Sequence, residues 1–325
     1  MHRSILSVLA SLPLLALTQT APAQQAPTCP RKVVKFVVPY PPGGSSDLLA
    51  RLLVPDLSKQ LAVTIVVENK AGAVGNIGTA QAMSADADGC TWLLGNSSNV
   101  VISRNLYKLT RDPVEHLTPV AQVAAVPMVL YVSSAVPAAT FQEFIALVRK
   151  NPGKYSYATP GAGSTHHLLT EMMKIEFGLD AAHVPYKGSG PAIQDVIAGH
   201  LAFAFEGTSA IAPHIASGKV RALATSGAQR SVTLPNVPTL KELGHSKFVA
   251  TNWYGVFVPA NTPPGLVTRL NAAIRQSMKS PEVVDNLAKL DSRVPDLSAA
   301  EFGEFVKKEV PYWKTLVATT GVTVE

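Results

Sequence analysis

Two junctions in the sequence combine a glycine turn with hydroxyl side chains at the start of a helical pattern. The first, residues 37–47, reads Val-Val-Pro-Tyr-Pro-Pro-Gly-Gly-Ser-Ser-Asp, and the second, residues 155–166, reads Tyr-Ser-Tyr-Ala-Thr-Pro-Gly-Ala-Gly-Ser-Thr-His. Glycine lets the backbone approach a ligand closely, and the free amide hydrogens in the first turn of a helix attract negative charge. Each junction therefore predicts a binding site for an anion. For the first junction an alternative stays open, in which Ser45, Ser46 and Asp47 only cap the helix.

Polar residues also follow three other strand patterns, at residues 96–98, 186–188 and 206–209. Because the carboxyl ends of parallel strands line the binding crevice of open α/β sheets, we expect all five junctions to face one cleft. Main-chain amides and hydroxyl groups supply the polar contacts in this interpretation, with Tyr40, Tyr186 and Trp253 as apolar walls. Glu206 either contacts the ligand or makes a structural hydrogen bond, and the sequence leaves both roles open.

Motifs for catalysis and cofactor binding are incomplete. The sequence lacks Gly-x-Ser-x-Gly, Ser-x-x-Lys and His-Glu-x-x-His motifs, and the run 161–163 lacks the third glycine of a dinucleotide-binding fingerprint. The adjacent His166 and His167 point in different directions on a helix, which argues against a shared metal ion. We therefore expect no cofactor, no metal and no enzymatic activity. The alternative from another class is a hydrolase that uses Ser164 and His166, for which the sequence offers no visible orienting carboxylate.

The composition is that of a soluble folded protein with weak preference for anions. Of the 325 residues, 47% are hydrophobic and 15% are charged, which excludes a disordered or fibrous chain. The formal charge of +6, from 28 Lys and Arg against 22 Asp and Glu, is scattered along the chain. Scattered positive charge does not indicate a nucleic-acid partner, but it raises the encounter rate with small anions.

The first 23 residues have the pattern of a secretory signal peptide. His2 and Arg3 precede an apolar run over residues 5–17, and small residues follow at 21–23. We expect cleavage near Ala23 and a periplasmic mature protein of about 300 residues. A chain of this length usually forms more than one hydrophobic core. A retained membrane anchor is the alternative, but the run contains Pro13 and is shorter than the ~20 apolar residues that cross a bilayer.

Short apolar runs alternate with helical spacing, the pattern of parallel sheets covered by helices. The strand candidates are residues 33–38, 65–67, 91–94, 155–158, 201–205, 220–225 and 254–258. Leu48, Leu49, Leu52 and Leu53 form the apolar face of a first helix, which Pro55 should kink or end.

Two apolar stretches, residues 120–132 and 249–259, look like crossings between two lobes. They predict a discontinuous first lobe, residues 24–128 plus 252–325, and an inserted second lobe, residues 129–251.

Cys29 and Cys90 each lie just before a predicted strand. If those strands are parallel neighbours, the two cysteines lie at the same edge of the sheet, and an exported protein favours their oxidation. We predict a structural disulfide, with two free thiols as the alternative.

The junctions resemble the Bug family, the extracytoplasmic receptors of tripartite tricarboxylate transporters. The matching stretches are residues 38–51, 67–78, 161–166, 184–188, 218–224, 234–239 and 253–263. They cover nearly the whole mature chain in the family's order, so together they are specific although each alone is weak.

The resemblance implies a two-lobed α/β fold of the periplasmic-binding-protein (Venus flytrap) kind, each lobe a mainly parallel sheet covered by helices, with two crossover connections. It implies a monomeric receptor that binds a small carboxylate between the lobes and delivers it to integral membrane transporter subunits. A sensor that docks on a membrane histidine kinase is the alternative. The ligand-binding candidates are Tyr40, Pro41, Gly43, Gly44, Ser45, Asp47, Ser97, Ser98, Gly163, Ser164, Thr165, His166, Tyr186 and Glu206.

The chain departs from the family at Cys90, Trp92 and Glu206. The family more often has Asp at the position of Glu206. A longer acid at the cleft repels a second carboxylate on the ligand unless the acid is protonated or paired, or it accepts a hydrogen bond from a donor on the ligand. Whether the ligand is an aliphatic, aromatic or amino acid therefore stays open.

Overall fold

The computed structural model describes residues 28–289, 291–292 and 294–324. The predicted signal peptide, residues 1–23, lies outside these residues. Within the described part of the chain, no helix has the length and apolar character needed to cross a membrane.

Strands and helices alternate along most of the described chain. The strands are β1 Val33–Val38, β2 Thr64–Asn69, β3 Thr91–Asn96, β4 Leu117–Ser133, β5 Tyr155–Thr159, β6 Ala181–Pro185, β7 Phe203–Gly207, β8 Val220–Thr225 and β9 Thr251–Pro259. The helices are α1 Ser45–Leu61, α2 Asn76–Met83, α3 Pro113–His116, α4 Phe141–Lys150, α5 Thr165–Phe177, α6 Ser189–Ile197, α7 Thr208–Ala216, α8 Pro264–Ser277, α9 Pro281–Lys289 and α10 Ala299–Thr320. Short helical turns occupy Ala73–Gly75, Ser98–Ile102, Ser103–Asn105 and Ser246–Phe248.

The strands form two sheets that share β4. In the first sheet β2, β1 and β3 are parallel, and β9 pairs antiparallel with β3 and with Leu117 to Pro127 of β4. In the second sheet β6, β5 and β7 are parallel, and the remainder of β4 pairs antiparallel with β7 and β8. The fold is therefore the expected two-lobed α/β architecture, with β4 as a strand common to both sheets. Each sheet has two parallel and two antiparallel pairings, so the sheets are mixed and not mainly parallel as expected.

Apolar side chains cover both faces of each sheet. Phe36, Trp92 and Leu94 belong to a buried cluster of the first sheet, and Phe144 and Phe203 belong to one of the second. Sheets buried on both faces favour strands of mainly apolar residues, as in β1, where only Lys35 interrupts the apolar run, and in the first part of β3. The boundaries of the two lobes at residues 128 and 252 stay a prediction.

Pro55 is expected to kink or end helix α1; the helix continues past it, so the expected end is wrong. Proline removes one hydrogen bond from the helix interior, a cost that tertiary packing can offset. Leu53, Leu57 and Leu61 are all buried on the same face of the helix, and their burial holds the last turns against the first sheet. The helix ends after Leu61 at Ala62, which has a left-handed backbone conformation (φ 51°).

The predicted disulfide between Cys29 and Cys90 is confirmed. The two Cα atoms are 4.8 Å apart, and the bridge joins residues 61 positions apart in sequence. Because β1 and β3 are parallel neighbours, the cysteines that precede them lie together at the amino ends of the strands. The bridge is thus at the edge of the sheet opposite to the strand ends that carry the glycine junctions.

We expect the double variant Cys29→Ser/Cys90→Ser to unfold more easily than the wild type. Closing a loop of this length restricts the unfolded chain and stabilises the fold by about 4 kcal/mol in the loop-entropy account. Urea unfolding under oxidising conditions measures the difference. Equal free energies of unfolding for the two proteins would contradict a stabilising bridge.

Candidate functional site

A small polar cavity lies between the carboxyl ends of the two sheets. Its volume is about 20 Å³, room for about one water molecule. The residues that line it are Tyr40, Pro41, Gly44, Ser45, Ser46, Asn96, Ser98, Pro160, Ser164, His166, Ser189, Asn252 and Tyr254. They come from both lobes, and three helices, α1, α5 and α6, begin at its wall.

Helix α1 begins at the cavity with two unpaired amides. Gly44 precedes the helix in an extended conformation and provides no side-chain cap. The amides of Asp47 and Leu48 bond to the Gly44 carbonyl, whereas those of Ser45 and Ser46 have no acceptor among the described residues. Unpaired first-turn amides and the helix dipole together favour a negatively charged partner.

Asp47 holds the first glycine turn in place. Its carboxylate accepts hydrogen bonds from the Gly43 amide at 3.1 Å, from Arg51 at 3.0 Å and from Asn69 at 3.0 Å. Burial alone would raise the pKa of this carboxyl, but the bonds from Arg51, Asn69 and Gly43 outweigh burial and lower it. Asp47 is thus an ionised brace of the turn, and the structure does not place it on the cavity wall.

Helix α5 begins on the opposite side of the cavity. Ser164 Oγ accepts the His167 amide at 3.2 Å, and Ser98 Oγ accepts the Thr165 amide at 3.1 Å. The amide of His166 has no acceptor among the described residues. Gly163, with φ 75°, allows the turn that brings this amide to the cavity.

Helix α6 supplies a third set of amides and begins where the lobes touch. Ser189 and Gly190 have unpaired amides among the described residues. Gly188 precedes them with φ 146°, and a Cβ atom added there would lie 2.5 Å from the Pro41 ring. Only a glycine at this position allows the two lobes to come so close together.

Hydroxyl groups join the two lobes beside the cavity. Ser45 Oγ lies 2.8 Å from Ser209 Oγ, and Ser97 Oγ lies 2.8 Å from Thr165 Oγ1. The Tyr107 hydroxyl donates to the Ala162 carbonyl at 2.8 Å. These contacts connect residues more than 50 positions apart and hold the cleft closed.

Glu206 is buried beside the cavity and paired with His166. Its Oε1 accepts the Gly207 amide at 2.9 Å and faces His166 Nε2 at 3.3 Å. Burial would raise the pKa of Glu206, but His166, Ser189 and the Gly207 amide outweigh burial and lower it. Glu206 therefore remains ionised, and its carboxylate already has hydrogen-bond partners in the protein before a ligand binds.

Tyrosines form the less polar parts of the wall. The Tyr40 hydroxyl lies 3.1 Å from both the Val74 carbonyl and Asn96 Oδ1, and the Tyr254 hydroxyl accepts from Asn252 at 2.8 Å. Burial raises the pKa of both tyrosines, so both stay protonated. Tyr186 instead lines an adjoining cavity of about 150 Å³.

Trp253 is not a wall of the cleft as the sequence suggested. Its ring packs against Phe302 and Phe305, and its Nε1 donates to Glu309 at 3.0 Å. Side chains alternate along β9, so Asn252 and Tyr254 face the cavity when Trp253 faces the core.

The structure divides the predicted site residues into two groups. Those that line the cavity are Tyr40, Pro41, Gly44, Ser45, Ser98, Ser164 and His166. Those that do not are Gly43, Asp47, Ser97, Gly163, Thr165, Tyr186 and Glu206, most of which hydrogen-bond to a lining residue or shape its turn. The list of candidates did not include the lining residues Ser46, Asn96, Pro160, Ser189, Asn252 and Tyr254, of which the first three belong to junctions predicted to face the cleft. Ser189 had a signal, since it follows Gly188 after a strand pattern.

A stack of two histidines supports the second glycine turn. The rings of His167 and His183 lie 3.8 Å apart, and His167 Nδ1 accepts the Gly163 amide at 3.0 Å. Burial, and then the charge of Lys174, lowers the pKa of His167 to about 4. Burial, and then the neighbouring His167, lowers the pKa of His183 to about 3. Both rings are neutral when the turn is formed.

Comparisons with known proteins agree on one family. The family model for the tripartite tricarboxylate transporter family receptor matches residues 49–322. Protein BugT of Bordetella pertussis is 36% identical over 299 residues, which cover 91% of each chain.

Solved structures of similar sequence have the same fold. The periplasmic binding protein BugD superimposes with a TM-score of 0.86 at 32% identity, covering 90% of this chain and 99% of BugD. Rpa4515 of R. palustris, solved with adipate, has a TM-score of 0.86 at 30% identity, covering 89% and 97%. MatC of Rhodopseudomonas palustris, solved with malate, has a TM-score of 0.84 at 29% identity, covering 88% and 98%.

We expect acid to weaken the fold through the histidine stack. Histidines of the unfolded chain take up protons near pH 6.5, whereas the pKa values of His167 and His183 in the folded protein are about 4 and about 3. The two rings therefore stabilise the folded state fully above pH 6.5, and this part of the free energy of unfolding is lost as the pH falls towards 4. His183→Gln should lose less stability between pH 7.5 and 4.5 than the wild type, by at least about 1 kcal/mol after allowance for solvent screening. Urea unfolding at several pH values measures this, with the exposed His200→Gln as the control. Parallel pH profiles for wild type and His183→Gln would contradict the assignment.

Proposed function

The chain belongs to the family of tripartite tricarboxylate transporter receptors, and from this premise we propose that it is a periplasmic receptor that binds a small carboxylate in its interlobe cavity and delivers it to the membrane subunits of such a transporter. In this proposal the mature chain begins after Ala23 and acts as a monomer.

The observation that carries this proposal is the convergence of unpaired amides on one cavity. The lining residues Ser45 and Ser46 of α1, His166 of α5 and Ser189 of α6 all have amides without an acceptor among the described residues. Several helix starts aimed at one point favour an anion with more than one oxygen, and a carboxylate has two. The adipate and malate bound to the two R. palustris relatives support the same ligand class.

Binding is coupled to closure of the lobes. The lobes in this proposal are residues 24–128 plus 252–325 and residues 129–251, joined through β4 and through the segment that leads into β9. A ligand that bonds to α1 on one side and to α5 and α6 on the other stabilises a closed form, because only a closed form makes all the contacts. The cavity of about 20 Å³ holds about one water molecule, so the lobes lie further apart around a bound acid than in this structure. Micromolar affinity needs only ~8 kcal/mol in total, which several charge-assisted hydrogen bonds supply after ordering costs.

The receptor role is non-catalytic in this proposal. Ser164 Oγ is occupied as the cap of α5, where it accepts the His167 amide. The Nε2 atom of His166 faces Glu206, and no histidine ring hydrogen-bonds to Ser164 within the described residues. A serine without a base at hydrogen-bond distance lacks the activation that a hydrolase needs.

We expect small carboxylates to raise the melting temperature of the mature protein, and their neutral amides not to. A ligand at 100 times its Kd adds about 2.7 kcal/mol to the stability of the folded state. A thermal-shift screen of about a hundred acids with matched amides and sugars tests this. Stabilisation by sugars or cations with none by any acid would contradict the carboxylate proposal.

The variants Ser45→Pro and Ser45→Ala separate the amide of Ser45 from its hydroxyl. Gly44 is extended and proline suits the first position of a helix, so Ser45→Pro should fold. Both variants lose the bond to Ser209, but only Ser45→Pro loses the amide. Because a hydrogen bond to a charged group contributes about 1.5–3 kcal/mol, Ser45→Pro should bind the acid at least tenfold more weakly than Ser45→Ala. Calorimetric titration measures the ratio, and equal affinities would exclude this amide as a contact.

A further inference from the structure

A second cavity continues from the one at the helix starts. It has a volume of about 150 Å³ and lies between residues 72–75 and Tyr107 on one side and residues 160–162 and 185–187 on the other. We call it the side cavity. Tyr40 lines both cavities, and so does Pro160.

The cavity at the helix starts has too little space for a whole acid. Its volume is about 20 Å³, so the body of a ligand whose carboxyl group lies there has to extend into a neighbouring space. Two larger cavities elsewhere, one lined by Arg275 and Met278 and one by Leu48, share no lining residue with it. The side cavity shares two lining residues with it and is therefore the space that receives the body of the ligand.

Three tyrosines line the side cavity, and their hydroxyl groups already have partners within the protein. The Tyr107 hydroxyl donates to the Ala162 carbonyl at 2.8 Å, and the Tyr186 hydroxyl donates to the Asp195 carboxylate. The Tyr40 hydroxyl lies 3.1 Å from a main-chain carbonyl. With their hydroxyls engaged, these side chains offer mainly ring carbon to a ligand, which suits an apolar body better than a hydroxylated one.

The volume of the side cavity suits one six-membered ring. An apolar protein cavity of about 150 Å³ is large enough to bind benzene, and the side cavity has this volume. Aromatic rings also pack favourably against other aromatic rings in stacked or edge-to-face arrangements, and three of the lining residues are tyrosines.

We infer that the ligand is an aromatic carboxylate, with its carboxyl group at the helix starts and its ring in the side cavity. This inference rests on the proposed function, because it takes the carboxylate to lie at the helix starts. Both cavities are lined from the two proposed lobes, so a single closing movement encloses the carboxyl group and the ring together.

Lys187 favours a second acidic group on the far side of the ring. It is the one charged residue among those that line the side cavity, and it has no ion pair among the described residues. Asp195 bonds to Tyr186 but does not line the side cavity. Glu206, beside the first cavity, repels a second carboxylate there. Because Lys187 is exposed, its contribution to affinity is small.

Acids with one carboxyl group and different bodies test the inference without any variant. Benzoate is compared with acetate and hexanoate by calorimetric titration of the mature protein. Benzoate should bind about tenfold more tightly than acetate, because its ring leaves water. It should also bind more tightly than hexanoate, whose flexible chain loses more conformational freedom. If acids bind but acetate or hexanoate matches benzoate, this inference fails and the proposed function stands. If no acid binds, the proposed function itself fails.

Ala162→Leu places a larger side chain in the wall of the side cavity. Benzoate should lose about tenfold in affinity and acetate less than about twofold, because only the ring needs the space. Ala212→Leu, the same substitution in the separate cavity beside Leu48, should keep the wild-type ratio of the two affinities. An unchanged ratio in Ala162→Leu would overturn the inference.

The variant Lys187→Gln tests the role of the lysine. Terephthalate is compared with 4-methylbenzoate, which has the same ring without the second charge. The wild type should prefer terephthalate by about threefold at low salt, and Lys187→Gln should lose this preference. Lys241→Gln, at an exposed lysine that lines neither cavity, should keep it. Equal preferences in the wild type and Lys187→Gln would overturn the role of Lys187.

Discussion

The proposed binding site depends on main-chain amides that have no acceptor among the residues the structure describes. Three helices begin at one cavity with unpaired amides, and a helix start buried in this way is unfavourable unless a ligand or water meets it. Glycine turns make the arrangement possible, because they turn the chain sharply from strand to helix without a side chain in the cavity. The carboxylate specificity we propose follows from backbone geometry more than from charged side chains, and the ionised Asp47 acts on the turn rather than on the ligand.

Closure of the lobes depends on small residues at their contact. Ser45 and Ser209 meet through their hydroxyls, and Gly188 lies against Pro41 where no side chain fits. Strand β4 runs through both sheets, so the lobes are joined by a continuous hydrogen-bonded element as well as by these contacts. Hydroxyl contacts of this kind are individually weak, which suits a cleft that must open to admit a ligand.

Much of the fold follows from local sequence, and the site follows from it only in part. Strand β1 has the bounds that its apolar run predicts, and the glycine junctions lie at the cavity as their position after strands indicates. The pairing of Glu206 with His166 joins residues 40 positions apart, and no local pattern encodes it. Asn252 and Tyr254 reach the cavity because β9 lies antiparallel between β3 and β4, a register that depends on the whole sheet. The continuation of α1 past Pro55 likewise reflects tertiary packing that overrides local propensity.

The most direct test of the central claim is a crystal structure of the mature protein with a tightly bound acid. We predict that one carboxyl group of the acid accepts hydrogen bonds from the amide of Ser45 or Ser46 on one lobe and from the amide of His166 or Ser189 on the other. A carboxyl group held by arginine or lysine side chains, or located outside the cavity between the lobes, would contradict it.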